Sequence, residues 1–387
     1  MNGNVIFLLL LSCFGGGASL AFPAPQGVEA GIAKGRRALQ QGDYSGAERT
    51  FLALVKQRSN DAEVRYWLGV TYMQQERNAE AEKSLRKAAE LRADYPETHN
   101  AVGSLYDRQE RYGEAEAAFT RALEFRPGYT NAHYNLGLSY LHQHRFSEAL
   151  ERFMEVLRLD PANTATYLQL GTVHFERTEY SEARVWVEKY LRAAPEDGFA
   201  HLKLGEILFR SGRFGDAIHS FQKAAQLPGD KSRAFSQLGV THFNLGRHTE
   251  ASEALQQAAK LDSNNADALF YLGRISMDSG DWVRARSYFA KILALESHHA
   301  DAGYYTAVTY FKQKRFDAAA RLLEDVVERH PGHIKAYYQL ALTRGRLGET
   351  DKAREALENF KHLETQERDR KKRSQRGRSY VSRVNEN

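Results

Sequence analysis

Residues 131–140 read Asn-Ala-His-Tyr-Asn-Leu-Gly-Leu-Ser-Tyr, and this stretch decides the fold because its pattern returns along the chain. The pair Leu136-Gly137 recurs every 34 residues, and so does the alanine that follows it at Ala149. The other copies of the pair are Leu68-Gly69, Val102-Gly103, Leu170-Gly171, Leu204-Gly205, Leu238-Gly239 and Leu272-Gly273. A fixed period of this length indicates one supersecondary element that buries its apolar face only by stacking on its neighbours.

The pattern resembles the tetratricopeptide repeat (TPR), a helix-turn-helix element of the same period. Ten such repeats follow one another without insertion or deletion, beginning at Val28, Ala62, Pro96, Thr130, Thr164, Gly198, Ser232, Ala266, Ala300 and Ile334. The resemblance implies an all-α fold, a right-handed superhelical solenoid of antiparallel helix pairs that occupies residues 28–363. The first and last repeats depart from the pattern, as terminal repeats with one face toward water often do.

The recurring glycine is predicted to allow close packing between the two helices of a repeat. A glycine within a helix costs about 1 kcal/mol relative to alanine, so its return in most repeats indicates a packing requirement. Leu136 and Tyr140 share one helix face and are predicted to enter the gap that the small residues leave. The small residues on the second helices are Ala47, Ala81, Ala115, Ala149, Ala183, Ala217, Ala251, Ala285, Ala319 and Ala353.

The N-terminal residues differ in composition from the repeats. An apolar run over residues 5–14 precedes glycines and other small residues, which is typical of a secretory signal peptide. We therefore expect residues 1–21 to be a signal peptide and residues 22–27 a linker. The protein would then be exported, to a bacterial periplasm or to an envelope-associated position. Because no basic residue precedes the run, two alternatives stay open: lipidation at Cys13, which would give a lipoprotein, and retention of residues 5–22 as a membrane anchor.

The C-terminal residues carry the net charge of +5. Residues 368–387 contain eight basic and two acidic side chains, whereas 46 basic and 47 acidic side chains balance elsewhere. We expect residues 364–387 to extend a capping helix into a basic, disordered tail. The alternative is a contact with an anionic lipid surface or an acidic partner through Arg368, Arg370, Lys371, Lys372, Arg373, Arg376 and Arg378.

Sequence motifs of catalysis are absent. The chain has no glycine-rich phosphate loop, no His-Glu-x-x-His pair and no Gly-x-Ser-x-Gly elbow. Its only cysteine is Cys13, so the repeats hold neither a disulfide nor a cysteine-based zinc site. The histidines considered for a metal are interpreted as surface residues without a common role; they are His298, His299, His330 and His333. We expect no enzymatic activity, cofactor, metal site, small-molecule substrate or nucleic-acid partner.

The resemblance also implies where a partner binds. In TPR proteins the second, fifth, ninth and twelfth positions of each repeat line a concave groove, and here many of these positions are aromatic. Large rings offer contact area at low entropic cost, which suits binding of an extended or helical peptide. The predicted partner-binding residues are Tyr66, Tyr134, Leu141, Phe175, Phe199, Phe209, Phe243, Phe270, Tyr304, Phe311 and Tyr338. The alternative is that these rings pack against neighbouring first helices.

The predicted function is that of a non-catalytic scaffold or adaptor that binds a protein segment in its aromatic-lined groove, in the cell envelope. One family variant does not fit, because no repeat combines the Lys and Asn of the clamp that holds chaperone C-termini. The alternative function is an anchored accessory subunit of an envelope enzyme or of a secretion or pilus-type assembly complex. Fold alone does not decide between these, since TPRs serve unrelated processes.

Overall fold

The structure is a computed structural model that describes the backbone of residues 26–384 and the side chains of residues 27–372. Cys13 and the predicted signal peptide lie outside the described residues. Within them every regular element is an α helix. The helices are α1 Gln26–Gln40, α2 Tyr44–Gln57, α3 Ala62–Gln74, α4 Asn78–Leu91, α5 Pro96–Arg108, α6 Tyr112–Phe125, α7 Thr130–His142, α8 Phe146–Leu159, α9 Thr164–Glu176, α10 Tyr180–Ala193, α11 Gly198–Arg210, α12 Phe214–Gln226, α13 Lys231–Asn244, α14 His248–Leu261, α15 Ala266–Asp278, α16 Trp282–Leu295, α17 Ala300–Lys312, α18 Phe316–Arg329, α19 Ile334–Arg346 and α20 Thr350–Val384.

Each repeat consists of an odd-numbered first helix and an even-numbered second helix. The connection between them is three residues long, as in Gln109 to Arg111, which makes the two helices antiparallel neighbours. Eight first helices begin at the residue where the sequence pattern begins its repeat, and the other two begin one or two residues earlier. The predicted all-α class and the ten helix pairs are therefore confirmed.

The helices form two compact units, which we call the N-terminal stack, up to Ala193, and the C-terminal stack, from Ala194. Each contains five helix pairs. Within a stack consecutive helices pack together, and several first helices of neighbouring repeats also contact one another. Such contacts are more extensive than any between second helices. The first helices of each stack consequently form a common layer.

In the first eight repeats the recurring glycine lies under a large side chain of the second helix, and in the last two repeats Ala307 and Ala341 stand at its position. A Cβ added at Gly103 would stand 2.6 Å from the ring of Phe119, which is 1% exposed. The same contact, always to the residue sixteen positions later, joins Gly35 to Phe51, Gly69 to Leu85, Gly137 to Phe153, Gly171 to Val187, Gly205 to Phe221, Gly239 to Leu255 and Gly273 to Phe289. The prediction that Leu136 and Tyr140 enter this gap is wrong, because the ring of Phe153 occupies the space over Gly137.

A second recurring contact joins successive repeats at the start of their second helices. Arg145 stacks on Tyr140 with 4.2 Å between guanidinium carbon and ring centre, and it forms ion pairs with Glu148 at 3.0 Å and with Glu116 of the preceding repeat at 2.7 Å. The Tyr140 hydroxyl donates to the same Glu116 at 2.8 Å. Arg145 is the N-cap residue of α8, but its side chain accepts no hydrogen bond from the backbone N–H groups of that helix. The contact with the preceding repeat therefore explains why an arginine occupies this position.

Replacing Glu116 by Gln is expected to make stability less dependent on pH. The hydrogen bond from Arg145, joined by the one from Tyr140, lowers the pKa of Glu116 below its ordinary value of 4.5. A lowered carboxyl pKa contributes stability that is present above the unfolded-state value and is lost as the pH falls through the folded-state value. Because both side chains are about one-third exposed, the contribution is about 0.5 kcal/mol.

Thermal melts of wild type and Glu116→Gln at pH 7 and pH 3 would measure this effect. The two melting temperatures should differ at pH 7 and converge at pH 3. Glu151→Gln, at a side chain that is 70% exposed, serves as the control with no such difference. A difference between wild type and Glu116→Gln that persists unchanged at pH 3 would contradict the interpretation.

Candidate binding surface on the first helices

The eleven predicted partner-binding residues all lie on first helices, but they differ in exposure. Tyr66 and Tyr134 are buried, whereas Phe199 is 57% exposed and Tyr338 46% exposed. The other seven are half-buried: Leu141, Phe175, Phe209, Phe243, Phe270, Tyr304 and Phe311. A partner could therefore reach nine of the eleven without a rearrangement of the protein.

Tyr66 and Tyr134 belong to the packed interior of the N-terminal stack. The ring of Tyr66 lies 5.4 Å from that of Tyr95, and the ring of Tyr134 lies 5.7 Å from that of Phe153. Burial raises the pKa of Tyr134 to about 12. Tyr66 and Tyr134 therefore pack within the protein, as the alternative interpretation of these rings describes.

The half-buried rings near the ends of the first helices contact the second helix of their own repeat. The centres of Phe209 and Phe214 are 5.4 Å apart, and those of Phe311 and Phe316 are 5.3 Å apart. Phe175 approaches Tyr180 in the same way, at 5.9 Å. One side of each ring is thus used inside the repeat, and the remaining area faces the solvent.

The C-terminal stack carries a continuous run of rings, which we call the aromatic strip: Phe243, Phe270, Tyr271, Tyr304 and Tyr305. Successive ring centres are 5.0, 5.4, 5.5 and 4.9 Å apart along the order Phe243, Tyr271, Phe270, Tyr305 and Tyr304. All five side chains are half-buried. The strip crosses α13, α15 and α17, so it is a surface that no single repeat provides.

Three members of the strip are among the predicted partner-binding residues, whereas Tyr271 and Tyr305 are not. These two occupy the sixth position of their repeats, which is not among the four positions that the family resemblance implied. The signal was present, because Phe270-Tyr271 and Tyr304-Tyr305 are aromatic pairs separated by one period.

Arg274 lies on α15 beside the strip. Its guanidinium carbon is 4.6 Å from the ring centre of Tyr305 and 5.6 Å from that of Phe243. One of its N–H groups donates to the Tyr305 hydroxyl at 2.8 Å. An arginine held by two rings and a hydroxyl keeps its planar face in place while its other donors stay available.

The corresponding surface of the N-terminal stack is polar at its centre. On α5 the fifth, ninth and twelfth positions are Asn100, Ser104 and Asp107, all buried. Asn135 of α7 donates to the Asn100 side chain at 3.0 Å. His142 lies 3.1 Å from Asp107, and this hydrogen bond raises the pKa of His142. This polar row was not predicted, because the predicted partner-binding residues are the large apolar members of the groove positions.

The loop histidines contact helix N-termini and the neighbouring loop. His299 and His333 are N-caps, and their Nδ1 atoms accept from the backbone N–H of Ala302 and Ala336 at 3.2 and 3.0 Å. His330 contacts the carbonyl oxygen of His298 at 2.7 Å. Within residues 26–384 no group of three or more His, Cys, Asp or Glu side chains is arranged to hold a metal ion.

The basic C-terminal segment continues the last helix. Phe360 packs on the exposed Tyr338 with 5.2 Å between ring centres, and the backbone of α20 is helical as far as Val384. Its side chains are described as far as Lys372, and Arg368 to Lys372 are exposed. In the part of the chain that the structure describes, no helix combines the length and apolar character needed to cross a bilayer.

Two family models match the chain. The model described as the cilia and flagella-associated protein 70 C-terminal domain, a TPR domain, matches residues 154–375, which is more than half of the chain. The model described as tetratricopeptide repeat matches residues 32–96 and 101–164. No curated protein sequence matches the chain significantly.

Several solved structures resemble the chain. PilF of Pseudomonas aeruginosa is 20% identical, with 54% of this chain and 94% of that chain covered and a TM-score of 0.48. A TPR protein of Parabacteroides merdae is 18% identical, with 63% and 96% covered and a TM-score of 0.49. YrrB, described as a TPR protein with an unusual peptide-binding site, is 23% identical, with 48% and 95% covered and a TM-score of 0.40. Likenesses of this size do not indicate a function.

Proposed function

Because the chain belongs to the tetratricopeptide repeat family, we propose that it is a non-catalytic scaffold that binds a protein segment along its first helices. The observation that carries the proposal is the aromatic strip of the C-terminal stack. Its five rings are held in place by contacts with one another, yet each keeps exposed area. Rings that are already ordered lose little entropy on binding, which favours them as contact residues for a peptide.

Panning a random peptide library on the immobilised full-length protein is the direct test. We expect peptides to be enriched, and the best of them to bind about tenfold more weakly to Phe199→Ala or Tyr338→Ala when measured by fluorescence anisotropy. These two rings lie on α11 and α19, on either side of the helices that carry the aromatic strip, and they are the most exposed of the predicted contact residues, so their removal disturbs the packing least. Circular dichroism of the variants would check this.

Val283→Ala is the matched control, because Val283 is 66% exposed on a second helix. Its affinity for the selected peptide should equal that of wild type. Failure of the library to yield any enriched peptide would overturn the proposal. Equal weakening by Phe199→Ala and Val283→Ala would place binding away from the first helices and would overturn it as well.

We further propose that the scaffold acts in the cell envelope. The support is the apolar run of residues 5–14 with small residues after it, which fits an export signal. The basic residues that α20 carries would then contact an anionic surface. The intact mass of the protein from its native membrane fraction tests this: a chain that begins at Phe22 supports export, a lipidated Cys13 supports the anchored accessory subunit, and an unprocessed Met1 contradicts cleavage.

A further inference from the structure

Arg274 has no acidic partner, although its position is fixed. Its guanidinium is stacked on Tyr305 and bonded to the Tyr305 hydroxyl, and the ring of Phe243 lies 5.6 Å away. Asp267 and Asp278 share α15 with it, yet no carboxylate oxygen lies within 4 Å of its guanidinium among the residues that the structure describes. An arginine that is held by rings and lacks a carboxylate is prepared to bind one from outside.

The stacked arginines of the N-terminal stack provide a contrast within the same chain. Arg111 lies 4.1 Å from the ring centre of Tyr106 and pairs with Glu82 at 3.1 Å and with Glu114. Arg145 is stacked on Tyr140 and pairs with two glutamates in the same manner. Stacking on tyrosine is therefore combined with ion pairing at those sites, while at Arg274 it is combined with a hydrogen bond to the Tyr305 hydroxyl and with no ion pair.

The charged side chains of the first helices also favour a ligand that carries carboxylates. In the N-terminal stack α1, α3, α5, α7 and α9 together carry five basic and five acidic side chains. In the C-terminal stack α11, α13, α15, α17 and α19 carry nine basic and four acidic side chains. Ion pairs occupy some of these charges: Arg344 pairs with Glu324 and Glu349, Arg233 and Lys203 approach Glu206, and Asp301 lies 3.6 Å from His333. The other six basic side chains of this layer, Arg274 among them, have no such partner in the part of the chain that the structure describes. The layer that holds the aromatic strip is therefore the positively charged one, and it attracts acidic segments.

We propose that the C-terminal stack binds an acidic peptide segment, in which an Asp or Glu carboxylate pairs with Arg274 and a neighbouring apolar side chain packs on the aromatic strip. This inference rests on the proposed scaffold function and specifies the chemistry of its partner. A carboxylate accepts two parallel N–H bonds from a guanidinium, which fixes the peptide relative to the rings. The flanking basic residues, among them Lys312 and Lys335, are exposed and would attract further acidic side chains.

The test pans the same random peptide library on full-length wild type, Arg274→Gln and Arg284→Gln. Arg284 is the matched control because it belongs to the same repeat, lies on the second helix α16 and stacks on Tyr288 at 5.9 Å. We expect Asp and Glu to be enriched in the peptides selected by wild type and by Arg284→Gln but not in those selected by Arg274→Gln. The best acidic peptide should bind Arg274→Gln about tenfold more weakly, and its Glu→Gln counterpart should bind wild type about tenfold more weakly.

The outcomes separate this inference from the scaffold function on which it rests. Enriched peptides without an acidic preference would overturn the inference and leave the scaffold function in place. An acidic preference that Arg274→Gln retains, or that Arg284→Gln loses to the same extent, would also overturn the inference. A library that yields no enriched peptide overturns both. Melting temperatures of the two variants that equal that of wild type would show that the comparison reports binding and not unfolding.

Discussion

Phe119→Ala is expected to destabilise the N-terminal stack by about 3–5 kcal/mol, the typical cost of emptying a phenylalanine site in a packed core. Phe119 is 1% exposed, and its ring covers Gly103 on the first helix of the same repeat. Glycine offers no side chain that could move into the vacated space, so the cavity would stay open. Because each repeat contacts only its neighbours, the loss of stability should be greatest in α5, α6 and α7.

Native-state hydrogen exchange is the appropriate measurement, since a chain of stacked repeats does not have to unfold in one step. The free energy of opening measured at the amides of α5 and α6 should fall by about 3–5 kcal/mol, while that of the amides of α1 should change less. Phe125→Ala is the control: this ring is on the same helix, is 36% exposed and should cost about 1 kcal/mol or less. Similar losses for Phe119→Ala and Phe125→Ala would show that the ring over the glycine is not a core residue.

Two glycine substitutions in the third repeat are expected to change stability in opposite directions. At Gly103 a new Cβ would lie 2.6 Å from the ring of Phe119, so Gly103→Ala forces the buried ring to shift at a cost of about 1–3 kcal/mol. This exceeds the gain of about 1 kcal/mol that alanine brings to a helix. At Gly113 a new Cβ meets nothing within 4 Å, so Gly113→Ala keeps that gain, up to about 1 kcal/mol.

Chemical denaturation followed by circular dichroism would place the midpoint of Gly103→Ala below that of wild type and the midpoint of Gly113→Ala at or above it. The double variant Gly103→Ala with Phe119→Leu tests the cause, because a smaller side chain makes room for the new methyl group. The effect of Gly103→Ala should therefore be smaller in the Phe119→Leu background. A stabilising Gly103→Ala would mean that the recurring glycine serves no packing purpose.

The sequence predicted the helix boundaries well because one pattern is written ten times. Most first helices begin at the residue where the sequence pattern begins its repeat. The constant period also indicates that no insertion interrupts the stacking of the repeats. The side chain that fills the gap over the glycine was not predicted. Leu136 and Phe153 both have apolar counterparts in most repeats, so periodicity could not distinguish which of them lies over Gly137.

The candidate binding surface was only partly predictable. A repeat position gives the face of a helix, but whether a ring is exposed depends on neighbours from other repeats. Tyr134 and Phe270 occupy the same position of their repeats, yet Tyr134 is buried and Phe270 is half-buried. The environment of Arg274 is made by Phe243 and Tyr305, which belong to the preceding and the following repeat, so a single repeat could not have identified it.

The contact between each glycine and the residue sixteen positions later has a consequence for how such a chain changes over evolutionary time. Both partners of the contact belong to the same repeat, so a gene segment that encodes one period carries a complete helix pair with both halves of this contact. Duplication or loss of that segment by unequal recombination lengthens or shortens the protein in whole steps and leaves the junctions in frame. Ten copies without an insertion are the expected product of such growth.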